Sequence, residues 1–268
     1  MKKLPVKVCL TVLFIAALGT LSNPASAQKI DTLTRNIIKL NVPALFLKNV
    51  SLQYERAIGK RTSVALGIRF APKSNVPFKS KIKDLINNDN DVDQVDNLSN
   101  QIDRLTTGNF AITPEFRFYL GKKGVFNGFY LAPFARYATY SAQINPYEYT
   151  YEPDGEGPTV TRFVDLKGNI NTITGGLMIG AQWKLSRQFS LDWWILGASA
   201  GSSSGTIKGV SAQPLTTEEQ QALREDLKEL DDIKLIKTET TVDANGARIK
   251  VDGPWYTLRA GLAIGYRF

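Results

Sequence analysis

The chain has 268 residues, 43% hydrophobic and 22% charged, with a formal net charge of +8, one cysteine and no histidine. That length suits one domain. After residue 27 no run approaches the roughly 20 apolar residues of a transmembrane helix, and the lone Cys9 leaves no intrachain disulfide.

The start MKKLPVK, the apolar run 8–18 and the small-x-small site Ala25-Ser26-Ala27 read as a secretory signal peptide, residues 1–27, cut after Ala27. One domain, 28–268, remains. Cys9 sits inside the apolar run and not at the cut, which argues against a lipid-anchored lipoprotein. The modest positive balance of an exported chain favours anionic lipid headgroups over nucleic acid as the nearby polyanion, and no nucleic-acid motif is present.

From Asn36 the segment IIKLNV is a first strand, broken near Pro43. In the next run Val50, Leu52 and Tyr54 alternate with Ser51, Gln53 and Glu55. After a turn at 59–62, Val64, Leu66, Ile68 and Phe70 stand opposite Ser63, Ala65, Gly67 and Arg69, which predicts a hairpin with one apolar face. Residues 72–107 read as a long loop with a short helix carrying Val95, Leu98, Ile102 and Leu105. Within it Asp89, Asp91 and Asp93 begin like a calcium loop, but Gln94 and Asn100 stand where glycine and glutamate belong, so no metal is assigned.

The fourth strand sets Ile112, Phe116, Phe118 and Leu120 against Thr113, Glu115, Arg117 and Tyr119. The fifth, about 129–142, has two possible facings, because turning Arg136 inward also turns Tyr130, Phe134 and Tyr140 inward. A second long loop, 145–165, carries Tyr147, Tyr149 and Tyr151, which suit either a contact surface or a headgroup-level girdle. The sixth strand puts Ile173, Leu177, Ile179 and Trp183 opposite Gly176, Met178, Gly180 and Gln182, with a bulge expected near Gly175. The seventh faces Phe189, Leu191, Trp193 and Ile195 one way and Ser190, Asp192 and Trp194 the other.

A third long loop, 206–253, contains a capping box at Thr217-Glu218-Glu219-Gln220, a helix stripe of Leu223, Leu227 and Leu230, and an Asn245-Gly246 hairpin turn. The last strand alternates Tyr256, Leu258, Ala260, Leu262, Ile264, Tyr266 and Phe268 with Thr257, Arg259, Gly261, Ala263, Gly265 and Arg267. About ten residue steps of about 3.3 Å, tilted by about 45°, separate its two rim tyrosines by roughly 23 Å, close to the lipid-facing band of a membrane barrel.

Short turns alternate with long loops along the chain, the pattern of a closed eight-stranded antiparallel transmembrane β-barrel whose long external loops carry short helices. The terminal Phe268 behind alternating aromatics resembles the C-terminal signature read by the outer-membrane assembly machinery of Gram-negative bacteria. Lys39-Leu40-Asn41, the Ser51-x-x-Tyr54-Glu55-Arg56 segment and the turn after Gly59 resemble the opening of a family of small Gram-negative outer-membrane β-barrel proteins of unknown function. That resemblance implies a barrel in the outer membrane, with membrane lipid and the assembly machinery as partners. It implies no catalytic residue.

Small outer-membrane barrels that resemble lipid A acyltransferases, deacylases, phospholipases or surface proteases rely on an active-site histidine, the usual base near neutral pH. Its absence here predicts no enzyme of those types and no cofactor. The inward charges Glu55, Arg69, Glu115, Arg117, Asp192 and Arg259 are expected to form a structural ion-pair network, because a narrow interior is filled by side chains and buried charges persist only when paired. The function expected is a structural or surface-interaction role through the external loops, with the loop partner unspecified. The alternative is a narrow conduit or binding protein for a small apolar molecule.

Overall fold

The computed structural model describes residues 35–76, 79–80, 103–153, 158–228 and 237–268. The signal-peptide segment, the calcium-like run, Val95, Leu98, Ile102 and Leu230 lie outside the described residues. Strands β1 (Asn36–Asn41), β2 (Val50–Ala57), β3 (Thr62–Asn75), β4 (Leu105–Tyr119), β5 (Gly128–Tyr151), β6 (Val160–Lys184) and β7 (Phe189–Val210) follow one another. Strands β8 (Lys237–Asp243) and β9 (Gly246–Arg267) complete the set. Helices α1 (Val42–Phe46) and α2 (Thr217–Lys228) lie between the strands.

β1 to β7 pair antiparallel in chain order, and β9 pairs with both β7 and β1. The sheet therefore closes into a ring of eight strands. β8 stands outside the ring as a hairpin partner of the first part of β9, 246–252. The chain end joins the strand start through mutual backbone hydrogen bonds between Asn36 and Phe268, 3.1 and 3.0 Å.

Period-two patterning explains the ring. Leu52, Leu66, Ile68, Phe118, Leu177, Ile179, Leu258, Ile264 and Tyr266 are exposed on the outside, while Gln53, Glu55, Ser63, Glu115, Arg117, Gln182 and Asp192 are buried inside. This is the reverse of a water-soluble sheet, whose apolar face turns inward. β5 resolves to one facing: Tyr130, Phe134 and Arg136 are buried.

Several loop expectations are corrected. Leu105 opens β4 instead of closing a helix. β5 and β6 run through most of 145–165, and β7 and β9 reach far into 206–253. Pairing is continuous through Gly175; the bulge lies at Ile195 in β7, which is skipped between Ile179↔Leu196 and Gly180↔Trp194. The extra residue switches the buried set from Ser190, Asp192 and Trp194 to Ser199 and Ser203.

The inward glycines mark places where filling is tight. A Cβ on Gly180 would lie 2.3 Å from the Tyr130 ring, and one on Gly261 would lie 2.4 Å from the Asn41 side chain. At Gly176 it would meet the Ala198 carbonyl oxygen at 2.2 Å, so close strand approach explains that glycine.

Candidate functional site

Near the short-turn end, side chains from all eight ring strands meet in one buried polar cluster, to which β3 contributes Ser63, its hydroxyl donating to Glu55. Arg117 of β4 donates to Glu115 Oε2 at 2.8 Å, Asp192 Oδ2 at 2.7 Å, Glu55 Oε2 at 3.2 Å and Gln53 Oε1 at 2.8 Å. Lys39 of β1 pairs with Glu55 and with Asp192, and reaches Gln182 Oε1 at 3.2 Å. Arg259 of β9 donates to Glu115 Oε1 at 2.8 Å. Asp192 also accepts from the Tyr130 hydroxyl at 2.8 Å and the Trp194 indole at 3.1 Å. Tyr119 Oη lies 2.7 Å from both Glu55 Oε1 and Gln182 Oε1.

Three carboxylates thus face three cations, and Lys39, Glu55, Glu115, Arg117 and Asp192 have fully covered side chains. Charges so enclosed are tolerable because each is paired and further hydrogen-bonded. Below them Phe126, in a left-handed backbone conformation (φ 66°), folds inward and packs edge-on against Tyr119 at 6.3 Å. Charges and aromatics together fill this end of the ring.

Five of the six charges read from the sequence, Glu55, Glu115, Arg117, Asp192 and Arg259, meet in that cluster. Arg69 does not. Lys39, Gln53, Tyr119, Tyr130, Gln182 and Trp194 belong to it and were not singled out. Strand parity alone marks Lys39, which alternates with the outward Ile38 and with Leu40.

Arg69 and Arg136 instead line a separate pocket of about 140 Å³ with Arg259, Asn41, Asn49 and Ser51. Arg136 donates to the neutral Thr113 hydroxyl at 3.2 Å. Arg69 Nε and Asn49 Oδ1 are buried without hydrogen-bond partners. The pocket lies beside an interruption in the strand pairing of the ring. β1 meets β9 over Ala263–Arg267, and β8 meets it over Gly246–Asp252. Between those stretches, among the described residues, no strand pairs with that edge of β9. Helix α1 stands there, capped by Asn41 Oδ1 accepting from the Ala44 N–H at 3.3 Å, with Ala44 buried and Leu45, Phe46 and Leu47 exposed.

At the opposite end from the short turns, the long halves of β5, β6 and β9 build an apolar cluster with β8 and α2. Tyr147, Tyr149, Val164, Leu166, Ile249 and Val251 pack on Leu223 and Leu227. Tyr147 and Tyr149 are therefore core residues, neither a contact surface nor a girdle. The capping box sits one residue earlier than the sequence suggests. Glu219 Oε2 accepts from the Thr216 N–H at 2.9 Å, and Thr216 Oγ1 accepts from the Glu219 N–H at 3.3 Å.

Burial pushes the Glu219 carboxyl pKa up, but hydrogen bonds from the Thr216 N–H and Arg162 outweigh it and leave the value below the ordinary range. The stabilisation is complete above the unfolded glutamate pKa, about 4.3, and is lost as pH falls through the lower folded value. Amide-exchange protection of α2 is expected to drop by about 1 kcal/mol across that acid window. Glu219→Gln should abolish the step; a step of equal size in the variant would assign it elsewhere.

A family described as a protein of unknown function, DUF3575, matches residues 10–201. No curated protein matches the sequence.

Proposed function

We propose, for a chain that belongs to the DUF3575 family, an outer-membrane β-barrel that is closed to ions and acts through its loop-side half. The observation that carries this reading is the inverted patterning: an apolar outer belt around an interior whose charges neutralise one another at one end. In lipid every backbone polar group needs an internal partner, and a ring of paired strands supplies one along all but the stretch of β9 beside α1. The rims of β9 carry Tyr256 and Tyr266, suited to headgroup depth. The strands of 22 to 25 residues exceed the 9–11 that cross a bilayer, so β5, β6, β7 and β9 stand well clear of it on the loop side.

The lipid bilayer and, during biogenesis, the outer-membrane assembly machinery are the partners of this reading; the α2-capped loop-side half is the interaction surface. The chain 28–268, refolded into phosphatidylcholine vesicles, is expected to insert as a heat-modifiable, protease-resistant species and to give silent planar bilayers. Failure to insert, with a folded protein in detergent-free buffer, would sink the membrane reading. Stable wild-type conductance would sink the closed one.

The second reading, a conduit or binding protein for a small apolar molecule, is favoured by one observation: the pocket under α1 opens through the wall. Its arginines, however, call for a negatively charged group.

A further inference from the structure

We propose that the pocket beneath α1 binds the phosphate group of an amphiphile whose hydrocarbon chains leave through the gap in the wall. The inference deepens the membrane reading above and rests on it for the source of the chains.

The charge arithmetic comes first. In the plugged end three carboxylates are matched by Lys39, Arg117 and Arg259. Arg69 and Arg136 are left over, and among the described residues neither forms an ion pair. The hydroxyls of Tyr140 and Thr113 stand beside Arg136, but the charged side chains that share its pocket, Arg259 and Arg69, repel it. Arg136 is buried and Arg69 half-buried; enclosing like charges without a counterion is costly, and retaining them suggests that a ligand supplies the missing anion.

The geometry of the donors agrees. Arginine presents a planar fork that binds phosphate oxygens in pairs. Three such forks line one pocket, with the amide of Asn49 and the hydroxyl of Ser51 beside them. Arg69 Nε, a donor buried without an acceptor, is an unmet requirement of the same site. Arg259 is held by Glu115 and stacked against Phe134 and Trp194 at 4.9 and 5.0 Å, so it forms a rigid side of the pocket.

The lining also states where the rest of the ligand goes. Arg259 points inward, whereas its neighbours Leu258 and Ala260 belong to the outer face of β9, yet all three line the pocket. One cavity can touch both faces of a strand only where its edge is open. Leu258 is 77% exposed and Phe46 of α1 is 80% exposed, so an apolar surface continues outward from the opening. The volume is about 140 Å³. It accommodates a phosphate and its ester oxygen, and leaves acyl chains outside against the apolar surface.

The test uses calorimetric titration of the refolded chain in non-ionic detergent with three soluble probes: dihexanoyl phosphatidate, dihexanoyl phosphatidylcholine and inorganic phosphate. Phosphatidate is expected to bind, with the other two weaker by at least about tenfold, and Arg69→Gln with Arg136→Gln is expected to weaken it by about 100-fold, as the loss of two charge-assisted contacts implies. The variant keeps the plugging cluster intact, and its heat-modifiable gel mobility reports its fold. Equal binding of inorganic phosphate and phosphatidate would make the source a free anion and overturn the amphiphile. Equal binding by wild type and variant, or none by wild type, would overturn the site. Because these titrations are in detergent, their failure is distinct from failure to insert into vesicles.

Discussion

Arg117→Ala is expected to cost about 3–5 kcal/mol of stability, the penalty for breaking one side of a buried charge pair, and to turn a silent protein into a leaky one. The guanidinium bonds Glu115, Asp192, Glu55 and Gln53 at once. Its removal leaves three enclosed carboxylates against Lys39 and Arg259. The two effects can be separated. Arg117→Met keeps much of the volume and loses the charge, so it should share the stability loss and remain silent, whereas the alanine variant also opens a path. Adding Asp192→Asn to Arg117→Met restores the balance of charge, since Lys39 can pair with Glu55 and Arg259 with Glu115. That double variant is expected to recover part of the loss, as coupled sites are not additive. Urea midpoints in vesicles and bilayer conductance measure both quantities. Additive losses would mean that Arg117 and Asp192 do not act as a pair, and wild-type conductance would mean that the cluster is no plug.

The strand faces were legible because inside and outside demand opposite chemistry at each step. In β4 the order Thr113, Glu115, Arg117, Tyr119 against Ile112, Phe116 and Phe118 gives the inward set directly. The partners were not, because Lys39 and Asp192 are separated by 153 positions and meet only when the sheet closes. Neutral members escaped for another reason. Tyr130 looks apolar in a pattern, and its place inside depends on a hydroxyl that the enclosed Asp192 carboxylate accepts from. The loop-side half was misread where alternation breaks. The register shift in the β5–β6 pairing between Ile144 and Tyr147 moves the buried set to Tyr147 and Tyr149, so a continuous strand resembles a polar loop. Two adjacent threonines, Thr216 and Thr217, likewise offer two capping registers, and the side-chain geometry selects the first. The wall gap follows from the shortness of β1, six residues ending at Asn41, which leaves one edge of β9 without a strand between Gly253 and Leu262. A Pro43 break signals the interruption; only closure of the ring turns it into an opening.

Leu262→Arg is the second large effect expected, and it decides what surrounds the ring. Leu262 lies outward on β9, 39% exposed, near the middle of the stretch between Tyr256 and Tyr266. In a bilayer, an arginine at mid-depth on the outer face costs about 2–4 kcal/mol. In water the same substitution at an exposed leucine stays within about 0.5 kcal/mol and removes part of an apolar patch. Phe163 supplies the control: it is 51% exposed on β6 opposite Glu148, far up the long loop-side half, where Phe163→Arg should cost nothing measurable in either setting. Vesicle insertion yield and urea midpoints of the two variants are therefore expected to diverge, with Leu262→Arg depressed and Phe163→Arg at the wild-type value. Equal behaviour of both would mean that the outer belt is not in contact with lipid. The buried cluster would then still hold the ring closed from within, since its ion pairs do not depend on the outer medium, but the apolar belt would need a protein partner to cover it.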